Sequence, residues 1–349
     1  GMKMRIDKEQ MNQNCPAYII AEIGNNHQGS LDTALAMVRI AKEYCGVSAV
    51  KFQKRDNDSL FTEEFSRKPY VGQNSFGATY GEHRVALELS ESDFCSIRDL
   101  CRELDVDLIV TPFDKKSVDL LDSIEIRNYK IASSDIDNIP LIEYAAKKAD
   151  SLIISTGCAS LEDIDLAYQT AMKYHHCVGL LHCICKYPPE VQEYNLRSIL
   201  VLAERYKDAV VGYSGHDIGI EAPVAARVLG ANIIEKHYTL NKDLPGGDHK
   251  ISLDSDEMKT LVESLQRIDL MLGKCEKRRY DFEEGVKMKL GKSLYASRDI
   301  YKGTKLTAQD ICIKTPSGHI SPASIGALIG RTVLKDMSTD QPFQWEEIE

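Results

Sequence analysis

The sequence lacks any apolar run long enough to cross a lipid bilayer, and we expect no secretory signal peptide before its first apolar segment. Positive charge is also scarce, since 43 lysines and arginines face 53 aspartates and glutamates, which gives a net charge of -10. Nucleic acids and anionic membrane surfaces repel such a chain, so we expect neither as a partner. This composition is typical of a cytoplasmic enzyme that acts on small molecules.

A cysteine framework for disulfides or zinc is missing as well. The ten cysteines are spread over apolar segments, which is typical of reduced thiols in a chain without a secretory signal. Cys183 and Cys185 are the one closely spaced pair that suggests metal binding, but their spacing is not that of a structural zinc site. We therefore assign no metal to the cysteines.

The sequence does contain one pattern that recurs eight times, a short apolar run that ends at polar residues. The apolar runs are 18–21, 49–50, 108–110, 129–131, 152–154, 178–181, 209–211 and 233–234. The polar residues that follow them are Glu22, Lys51, Gln53, Thr111, Lys130, Ser133, Ser134, Ser155, His182, Ser214, His216, Lys236 and His237. Buried parallel strands have this apolar character, and an eight-stranded barrel collects its active-site residues at the carboxyl ends of its strands. The pattern predicts an α/β fold, a TIM (β/α)8 barrel, with its chemistry at one rim.

The segments between these runs have a helical period, as crossover connections require. Ser30 is a predicted N-cap, and Ser90 and Ser160 each precede an aspartate by three residues, as N-caps often do. Pro140 suits a first helical turn. Residues 55–89 differ, because they show no period and are rich in Gly, Asn, Ser and Tyr. We interpret this insert as a functional loop above the barrel rim, with a disordered excursion as the alternative.

The sequence changes character after the last predicted barrel helix. A highly charged segment at 274–290 is predicted to link a barrel domain at 1–273 to a small, mostly β domain at 291–349. Within the small domain, segments 296–303 and 333–340 share a pattern, which predicts internal pseudo-symmetry. A module of about 60 residues rarely buries enough apolar surface to be very stable alone. We expect it to dock on its own barrel or on that of a partner.

Two lysines, Lys51 and Lys130, are predicted to end buried strands, where an unpaired ammonium group is costly. They therefore require an anionic partner. Hydroxyl groups on neighbouring strands can add hydrogen bonds and favour a small ligand with phosphate and carboxylate groups; these are Thr111, Ser133, Ser155 and Ser214. The alternative partner is a carboxylate of the protein itself, Glu22 or Asp135.

Two histidines, His216 and His237, end the seventh and eighth predicted strands, which are neighbours in a barrel. Two imidazoles at an open rim suit a divalent metal that keeps positions free for water or a substrate oxygen. The alternative is a pair of hydrogen-bonded pocket residues. Asp248, in the turn after the eighth strand, is a candidate for orienting a polar substrate, with a solvated turn residue as the alternative. The pair of histidines predicts a metal site.

Nine motifs resemble those of the sialic acid synthase family, in the same order and over nearly the whole chain. They are AEIGNNHQG at 21–29, VKFQ at 50–53, TPF at 111–113, YKIASS at 129–134, STG at 155–157, YP at 187–188, GYSGH at 212–216, EKHYT at 235–239 and PGGD at 245–248. The terminal module resembles the antifreeze-like (SAF) domain of that family. The resemblance implies the TIM barrel and a homodimer in which each terminal module closes the partner's barrel rim.

The resemblance also implies a reaction and a set of roles. Phosphoenolpyruvate condenses with an aldose like N-acetylmannosamine, which gives a nonulosonic acid and releases phosphate by C–O cleavage. A divalent ion held by His216 and His237, typically manganese with magnesium or cobalt as alternatives, polarises the aldehyde. By position, phosphoenolpyruvate is held by Lys51, Thr111, Lys130, Ser133, Ser155 and Ser214, and the sugar is faced by Glu22, Gln53, Asn74, Tyr187 and Asp248. The general base is left open between Glu22 and Asp135.

The sequence departs from the family pattern on the sugar side. Thr315 stands where the family has an arginine that contacts the N-acetyl group of the sugar, and a hydroxyl cannot replace a bidentate cation. The loop after the sixth strand carries Lys186 but lacks the usual asparagine, and Asp135 stands where glutamate is common. We therefore expect the reaction type to be kept and the acceptor to differ, for example an aldose without the N-acetyl group or a bacterial diamino sugar.

Two further interpretations are left open. A pyruvate-dependent aldolase or lyase would use one of the rim lysines to form a Schiff base. A non-catalytic relative would use the terminal module to bind a glycan or a protein. The complete set of Lys51, Lys130, His216 and His237 favours the condensing enzyme over both.

Overall fold

The computed structural model describes Met11 and residues 15–349, and the first residues of the predicted barrel domain, 1–10 and 12–14, lie outside the described part. The chain divides into two compact units, Gly1–Lys274 and Cys275–Glu349. This division comes one residue after the predicted end of the barrel domain. Within the described part, no helix has both the length and the apolarity to span a membrane.

The first unit is built on a closed barrel of eight parallel strands in sequential order, which confirms the predicted TIM barrel. Each apolar run of the sequence lies in one of these strands, except that Ala209 directly precedes β7. The strands are β1 (Tyr18–Gly24), β2 (Ala49–Lys54), β3 (Asp107–Pro112), β4 (Asn128–Ile131), β5 (Ser151–Ser155), β6 (Val178–His182), β7 (Val210–Gly215) and β8 (Ile233–His237). The barrel closes where β8 pairs with β1, in a register that sets His237 opposite Glu22.

Helices lie between the barrel strands in the sequence and follow the last of them. They are α1 (Leu31–Ile40), α2 (Asn57–Leu60), α3 (Glu63–Arg67), α4 (Tyr80–Leu87), α5 (Glu91–Leu104), α6 (Lys115–Ser123), α7 (Ile139–Lys148), α8 (Leu161–Met172), α9 (Ser198–Arg205), α10 (Glu221–Val228) and α11 (Ser255–Leu272). Ser30 caps α1, and Ser90 and Ser160 form the expected capping boxes with Asp93 and Asp163. Local side-chain chemistry therefore determines where these helices begin.

The insert between β2 and β3 is not a plain loop, which corrects the sequence interpretation. It contains α2, α3 and α4, and α4 begins at a capping box of Thr79 and Glu82. Aromatic rings hold these short helices together, since the Tyr80 ring meets those of Phe61 and Phe65 edge on, with ring centroids 5.3 and 4.8 Å apart. Helices of four to eight residues are too short to show a period in the sequence.

The inside of the barrel is divided into two layers. An apolar layer consists of Ile20, Ala49, Ile109, Ile153, Leu181, Val210 and Ile233, which form a cluster separate from the core between strands and helices. Because strand side chains alternate between the two faces, residues two positions later also point inwards. These are mostly polar, and they include Glu22, Lys51, Thr111, Ser155 and Glu235. The apolar layer thus forms a floor below a polar layer at the carboxyl ends of the strands.

The second unit has its own core, which includes Leu294, Leu328 and Phe343. Its antiparallel sheet pairs β9 (Ser293–Ala296) with β10 (Ile311–Lys314). Two short helices accompany it, α12 (Glu284–Leu290) and α13 (Ile325–Leu328). The segment predicted to be a linker thus contains α12, whose residues are all exposed.

Reciprocal hydrogen bonds join the two repeated segments of this unit. Ile300 and Met337, at equivalent positions in the repeat, exchange both backbone hydrogen bonds at 2.8 and 2.7 Å. Asp299 and Asp336 are also equivalent, and each carboxylate accepts a backbone N–H from the other segment, at 2.8 and 2.7 Å. The repeat in the sequence therefore corresponds to a pseudo-symmetric pairing in the structure.

Candidate active site at the carboxyl end of the barrel

A cavity of about 440 Å³ opens at the carboxyl ends of the barrel strands. It brings together most of the residues predicted from the sequence. These are Glu22, Lys51, Gln53, Thr111, Lys130, Ser133, Ser155, Tyr187, Ser214, His216, His237 and Asp248. Their common origin at strand ends, or in the loops that directly follow them, explains why residues so far apart in sequence share one cavity.

Two predicted site residues, Asn74 and Asp135, do not line the cavity. Asn74 is exposed, and its Oδ1 accepts the backbone N–H of Gly246 at 3.1 Å, so it contacts the loop that carries Asp248. Asp135 lies in a 3-10 turn after β4, where its Oδ1 accepts a hydrogen bond from Nδ2 of Asn138 at 3.2 Å. That turn directs Asp135 away from the lining, and burial raises the pKa of its carboxyl group.

The lysines at the cavity floor both have carboxylate partners. The Lys51 ammonium group contacts Glu22 and donates to Thr111 Oγ1 at 3.0 Å. Lys130 Nζ lies 3.2 and 3.1 Å from the two oxygens of Glu235. Of the partners left open by the sequence, Glu22 is therefore found beside Lys51, whereas Lys130 pairs with Glu235 and not with Asp135. An ammonium group has three N–H donors, so both lysines keep capacity for a ligand.

Glu235 was missed by sequence reasoning, although it lies within one of the motifs. The neighbouring Lys236 was taken as the polar end of β8, but it points to the other face and pairs with Asp217 at 3.1 Å. The strict alternation from Ile233 through Glu235 to His237 is the signal that identifies the inward residue.

The two ion pairs influence each other because they are adjacent. Lys51 Nζ lies 3.8 Å from Glu235 Oε1, and Ser214 donates to the same oxygen at 3.0 Å. Burial opposes the charge of Glu235, but Lys130 and Lys51 outweigh it and hold the pKa of this carboxyl below its ordinary value. Burial also works against the charge of Lys51, yet Glu22 and Glu235 raise its pKa. Burial lowers the pKa of Lys130, and the charge of Lys51 adds to this effect.

The two histidines of the predicted metal site are neighbours, with ring centroids 5.4 Å apart. The Nδ1 of His216 donates to the carbonyl oxygen of Ile184 at 3.2 Å, which leaves Nε2 without a proton in the neutral ring. The Nδ1 of His237 is buried and has no hydrogen-bond partner over Met11 and residues 15–349. Burial lowers the pKa of both rings, so both are neutral near pH 7 and have a lone pair for a metal.

The histidines form a pair and not a closed metal site. Over Met11 and residues 15–349, no group of three or more His, Cys, Asp and Glu side chains has an arrangement that could hold a metal. A divalent ion on two imidazoles would therefore keep several positions for substrate oxygens or water. The residues fit such an open site.

Gly24 allows Glu22 to approach the cavity. Its backbone is left-handed, with φ of +55°, and a Cβ at this position would lie 2.9 Å from Glu22 Oε1 and 3.3 Å from Gln53 Nε2. Any other residue would be strained by its backbone conformation and would press on two cavity side chains.

Three cysteines and two arginines also line the cavity and were not predicted. The cysteines are Cys158, Cys183 and Cys185, and Cys183 Sγ lies 4.0 Å from His216 Nδ1. The arginines are Arg55, directly after β2, and Arg84, on α4 of the insert. The insert was recognised from its length, its missing period and its composition, and none of these identified Arg84 as a cavity residue.

The residues at which the sequence departs from the family pattern lie outside the cavity lining. Lys186 Nζ pairs with Glu193 Oε1 at 2.7 Å. Thr315 belongs to the second unit, where it is exposed directly after β10.

Comparison with known proteins places the chain in a family. The model of the NeuB family matches residues 37–277, and that of the SAF domain matches residues 291–349. N,N'-diacetyllegionaminic acid synthase of Legionella pneumophila is 36% identical, over 95% of this chain and 94% of its own length. Human N-acetylneuraminate-9-phosphate synthase is 35% identical, over 96% and 93%.

Solved structures agree with these matches. An N-acetylneuraminic acid (sialic acid) synthetase from Leptospira borgpetersenii, solved in complex with citrate, is 33% identical with a TM-score of 0.69, and the match covers 78% of this chain and 90% of that one. The resemblance read from the motifs is thus confirmed, and so is the expectation of an enzyme, because these relatives are synthases. The chain belongs to the NeuB family of acid synthases and carries a SAF domain after its barrel.

Proposed function

We propose that the chain condenses phosphoenolpyruvate with an aldose to give a nonulosonic acid and inorganic phosphate. The observation that carries this proposal is the single cavity that holds two lysines, a set of hydroxyls and two neutral imidazoles. This set suits an anionic substrate and a metal-dependent aldehyde in adjacent positions. The relatives named above make acids of this class.

Phosphoenolpyruvate would bind at the cavity floor, on Lys51 and Lys130. Each ammonium group is oriented by a carboxylate and has donors to spare. Hydroxyls from four different strands or their following loops surround them and would share the phosphate and carboxylate oxygens; these are Thr111, Ser133, Ser155 and Ser214. The paired carboxylates keep the floor near neutrality when no substrate is bound.

His216 and His237 would hold the divalent metal, for which we propose manganese, with magnesium or cobalt as alternatives. When bound, this ion would supply Lewis-acid polarisation of the aldehyde. The pair fits it because both rings are neutral and the Nδ1 of His237 has no hydrogen-bond partner among the described residues. Tyr187 packs against His216, with ring centroids 4.2 Å apart, and would keep that ring in place.

Glu22 is the carboxylate placed to handle protons. Its Oε1 is buried without a hydrogen-bond partner, whereas Asp135 does not line the cavity. In the reaction, the methylene carbon of phosphoenolpyruvate bonds to the aldehyde carbon, and the aldehyde oxygen takes up a proton. Water then adds to C2 and gives one proton to Glu22, which balances the proton taken up by the aldehyde oxygen. The C–O bond to phosphate breaks, the hydroxyl on C2 becomes the keto group, and its proton leaves with the phosphate. We propose Glu22 as the general base.

A Schiff-base aldolase is less consistent with the floor of the cavity. A lysine that attacks a carbonyl must be neutral and free. Lys51 is instead paired with Glu22, which with Glu235 raises its pKa. Burial lowers the pKa of Lys130, but its ammonium group is held by both oxygens of Glu235 and is not free. Borohydride treatment with pyruvate is therefore expected to leave no covalent adduct, and an adduct seen by mass spectrometry would favour the aldolase.

We also propose a homodimer in which the second unit of each chain completes the cavity of the other. In each unit, large apolar side chains near the boundary at Lys274 and Cys275 in the sequence are exposed. They are Leu270, Met271, Phe282, Val286 and Leu290. Such exposure marks an interaction surface. Light scattering is expected to give twice the chain mass of 39.1 kDa, and a monomer with full activity would contradict the proposal.

Phosphate release tests the reaction. With manganese and phosphoenolpyruvate, we expect release that depends on an aldose, drawn from N-acetylmannosamine, its 6-phosphate, mannose and diacetamido hexoses. His237→Ala should abolish release, whereas Lys68→Ala, an exposed change in the insert, should not. Since Thr315 replaces the family arginine, we expect an acceptor other than N-acetylmannosamine. Failure of every aldose in a protein that binds manganese would contradict the proposed reaction.

A further inference from the structure

Arg55 is a buried guanidinium group that has no carboxylate partner among Met11 and residues 15–349. Only 8% of the residue is exposed. Its Nη1 donates to Gln53 Oε1 at 2.9 Å, and its Cζ lies 3.9 Å from the centre of the Phe113 ring. Among the described residues, no carboxylate oxygen lies within 4.0 Å of its nitrogens. Buried charges are ordinarily paired, so this arrangement is costly in the ligand-free protein.

Arg84 adds a second positive charge to the same part of the cavity. It is half-buried, and its Nε donates to the hydroxyl of Tyr80 at 3.0 Å. It also lacks a carboxylate within ion-pair distance in the described chain. Burial, and then the charge of Arg84, lower the pKa of Arg55 to about 10, while Glu88 and Asp248 act on it only from a distance. An anion between the two guanidiniums would remove this repulsion.

Arg55 lies beside a residue that is predicted to face the sugar. Its Nη1 donates to Gln53 Oε1, and Arg84 lies on α4 of the insert, whereas the hydroxyls that line the cavity with the floor lysines come from β3, β5, β7 and the turn after β4. The histidines come from the ends of β7 and β8, with β1 between them and β2. A sugar whose aldehyde lies at the histidines would therefore extend towards the arginines.

We infer that Arg55 and Arg84 bind an anionic group of the aldose acceptor, a phosphate monoester at the end remote from the aldehyde. Guanidinium groups bind phosphate oxygens in pairs, and two of them match its double charge. A carboxylate would use the same donors with half the charge. This inference rests on the proposed function and names the class of its acceptor.

Binding and kinetics together test the inference. Isothermal calorimetry would compare mannose 6-phosphate with mannose and with mannuronate, and N-acetylmannosamine 6-phosphate with N-acetylmannosamine, so that the effect of the phosphate is measured with and without the N-acetyl group. Arg55→Gln and Arg84→Gln each remove one charge, and Arg67→Gln in the same insert is the matched control, because that side chain is exposed beside Glu63. We expect each cavity variant to weaken binding of the phosphorylated sugar and raise its KM by about 10- to 100-fold. The KM for phosphoenolpyruvate and all properties of the control should stay within about twofold.

The outcomes separate the inference from the reaction. Phosphate release with the neutral sugar and rejection of the phosphorylated one would overturn the inference and keep the reaction. A rise in the KM for phosphoenolpyruvate alone would also overturn it, because the arginines would then serve the other substrate. Preference for the uronate would refute the phosphate and retain only an anionic acceptor. If no sugar gives phosphate release, the proposed reaction is wrong. Calorimetry still tests the inference, because wild type should bind the phosphorylated sugar more tightly than the neutral one, and Arg84→Gln should lose that preference. Arg84→Gln, half-buried, keeps the test valid if Arg55→Gln does not fold.

Discussion

The two ends of the barrel each bury an arginine, and the two arginines are treated differently. At the amino ends of the strands, Arg227 Nε pairs with Asp269 at 2.7 Å. Its other nitrogens donate to Asn232 Oδ1 and to two backbone carbonyl oxygens. At the carboxyl ends, Arg55 has one amide oxygen and one ring as partners. Arg227 therefore has a carboxylate partner, whereas the described residues provide none for Arg55.

The difference distinguishes a buried charge that stabilises the fold from a buried charge that is available to bind a ligand. A buried charge that the chain itself satisfies ties elements together and contributes to the fold. A buried charge left open is unfavourable until a ligand arrives, and the cost is supported by the rest of the structure. The floor of the cavity lies between these cases, because Lys130 and Glu235 satisfy each other and also face the cavity.

The largest effect is expected where a paired charge also faces the substrate. Lys130→Met should lower the free energy of unfolding by about 3–5 kcal/mol, because Glu235 is left buried and unpaired. Adding Glu235→Leu should restore most of that stability, yet phosphate release should stay reduced by about 1000-fold, because the donor is gone. Urea unfolding and the phosphate assay measure the two effects. Activity in the double variant would mean that the pair serves structure alone.

The next largest effect concerns Arg227, which should affect only stability. Arg227→Met should lower the free energy of unfolding by about 3–5 kcal/mol, since it removes the partner of Asp269 and three other hydrogen bonds. The KM values of the folded variant should not change. Arg205→Met is the control, because its ion pair with Asp165 lies on the surface, and its unfolding midpoint should stay the same. A raised KM in Arg227→Met would contradict the claim that the buried arginine at the amino ends of the strands serves stability alone.

The smallest effect is expected at Gly24, where the backbone supports the cavity. Gly24→Ala should cost about 1–2 kcal/mol of unfolding free energy and about tenfold in kcat, because a left-handed residue gains a Cβ beside Glu22. Gly285→Ala, in α12 with open space around it, should leave kcat the same and change stability by less than about 1 kcal/mol. An equal kcat in wild type and Gly24→Ala would show that Gly24 is not needed to position Glu22.

Features with local causes were predictable from the sequence. The strands appear as apolar runs because both faces of a TIM-barrel strand are buried. Ser30, Ser90 and Ser160 could be predicted as helix N-caps because each side chain accepts a hydrogen bond from the backbone N–H three residues later. The rim residues could be named because every strand of such a barrel ends on the same side.

Features that depend on direction or on distant partners were not predictable in the same way. Lys236 was chosen over Glu235 because the prediction used the end of the apolar run and not the alternation from Ile233 to His237, which identifies the inward face. Asp135 stays outside the cavity lining because a 3-10 turn follows β4. Arg84 reaches the cavity because aromatic contacts hold the insert in place, and these form only in the folded chain.

The sequence by itself determined the barrel, the positions of most helix starts and the set of residues at the rim, since each follows from patterns a few residues long. The tertiary structure alone decided how the charges combine. It paired Lys130 with Glu235 across the barrel and gave Arg227 its four acceptors. It also gave Arg55 and Arg84 no carboxylate partner within the part of the chain that the structure describes. The physical reason is that the cost of a buried charge depends on the groups around it, and folding brings those groups from distant parts of the chain.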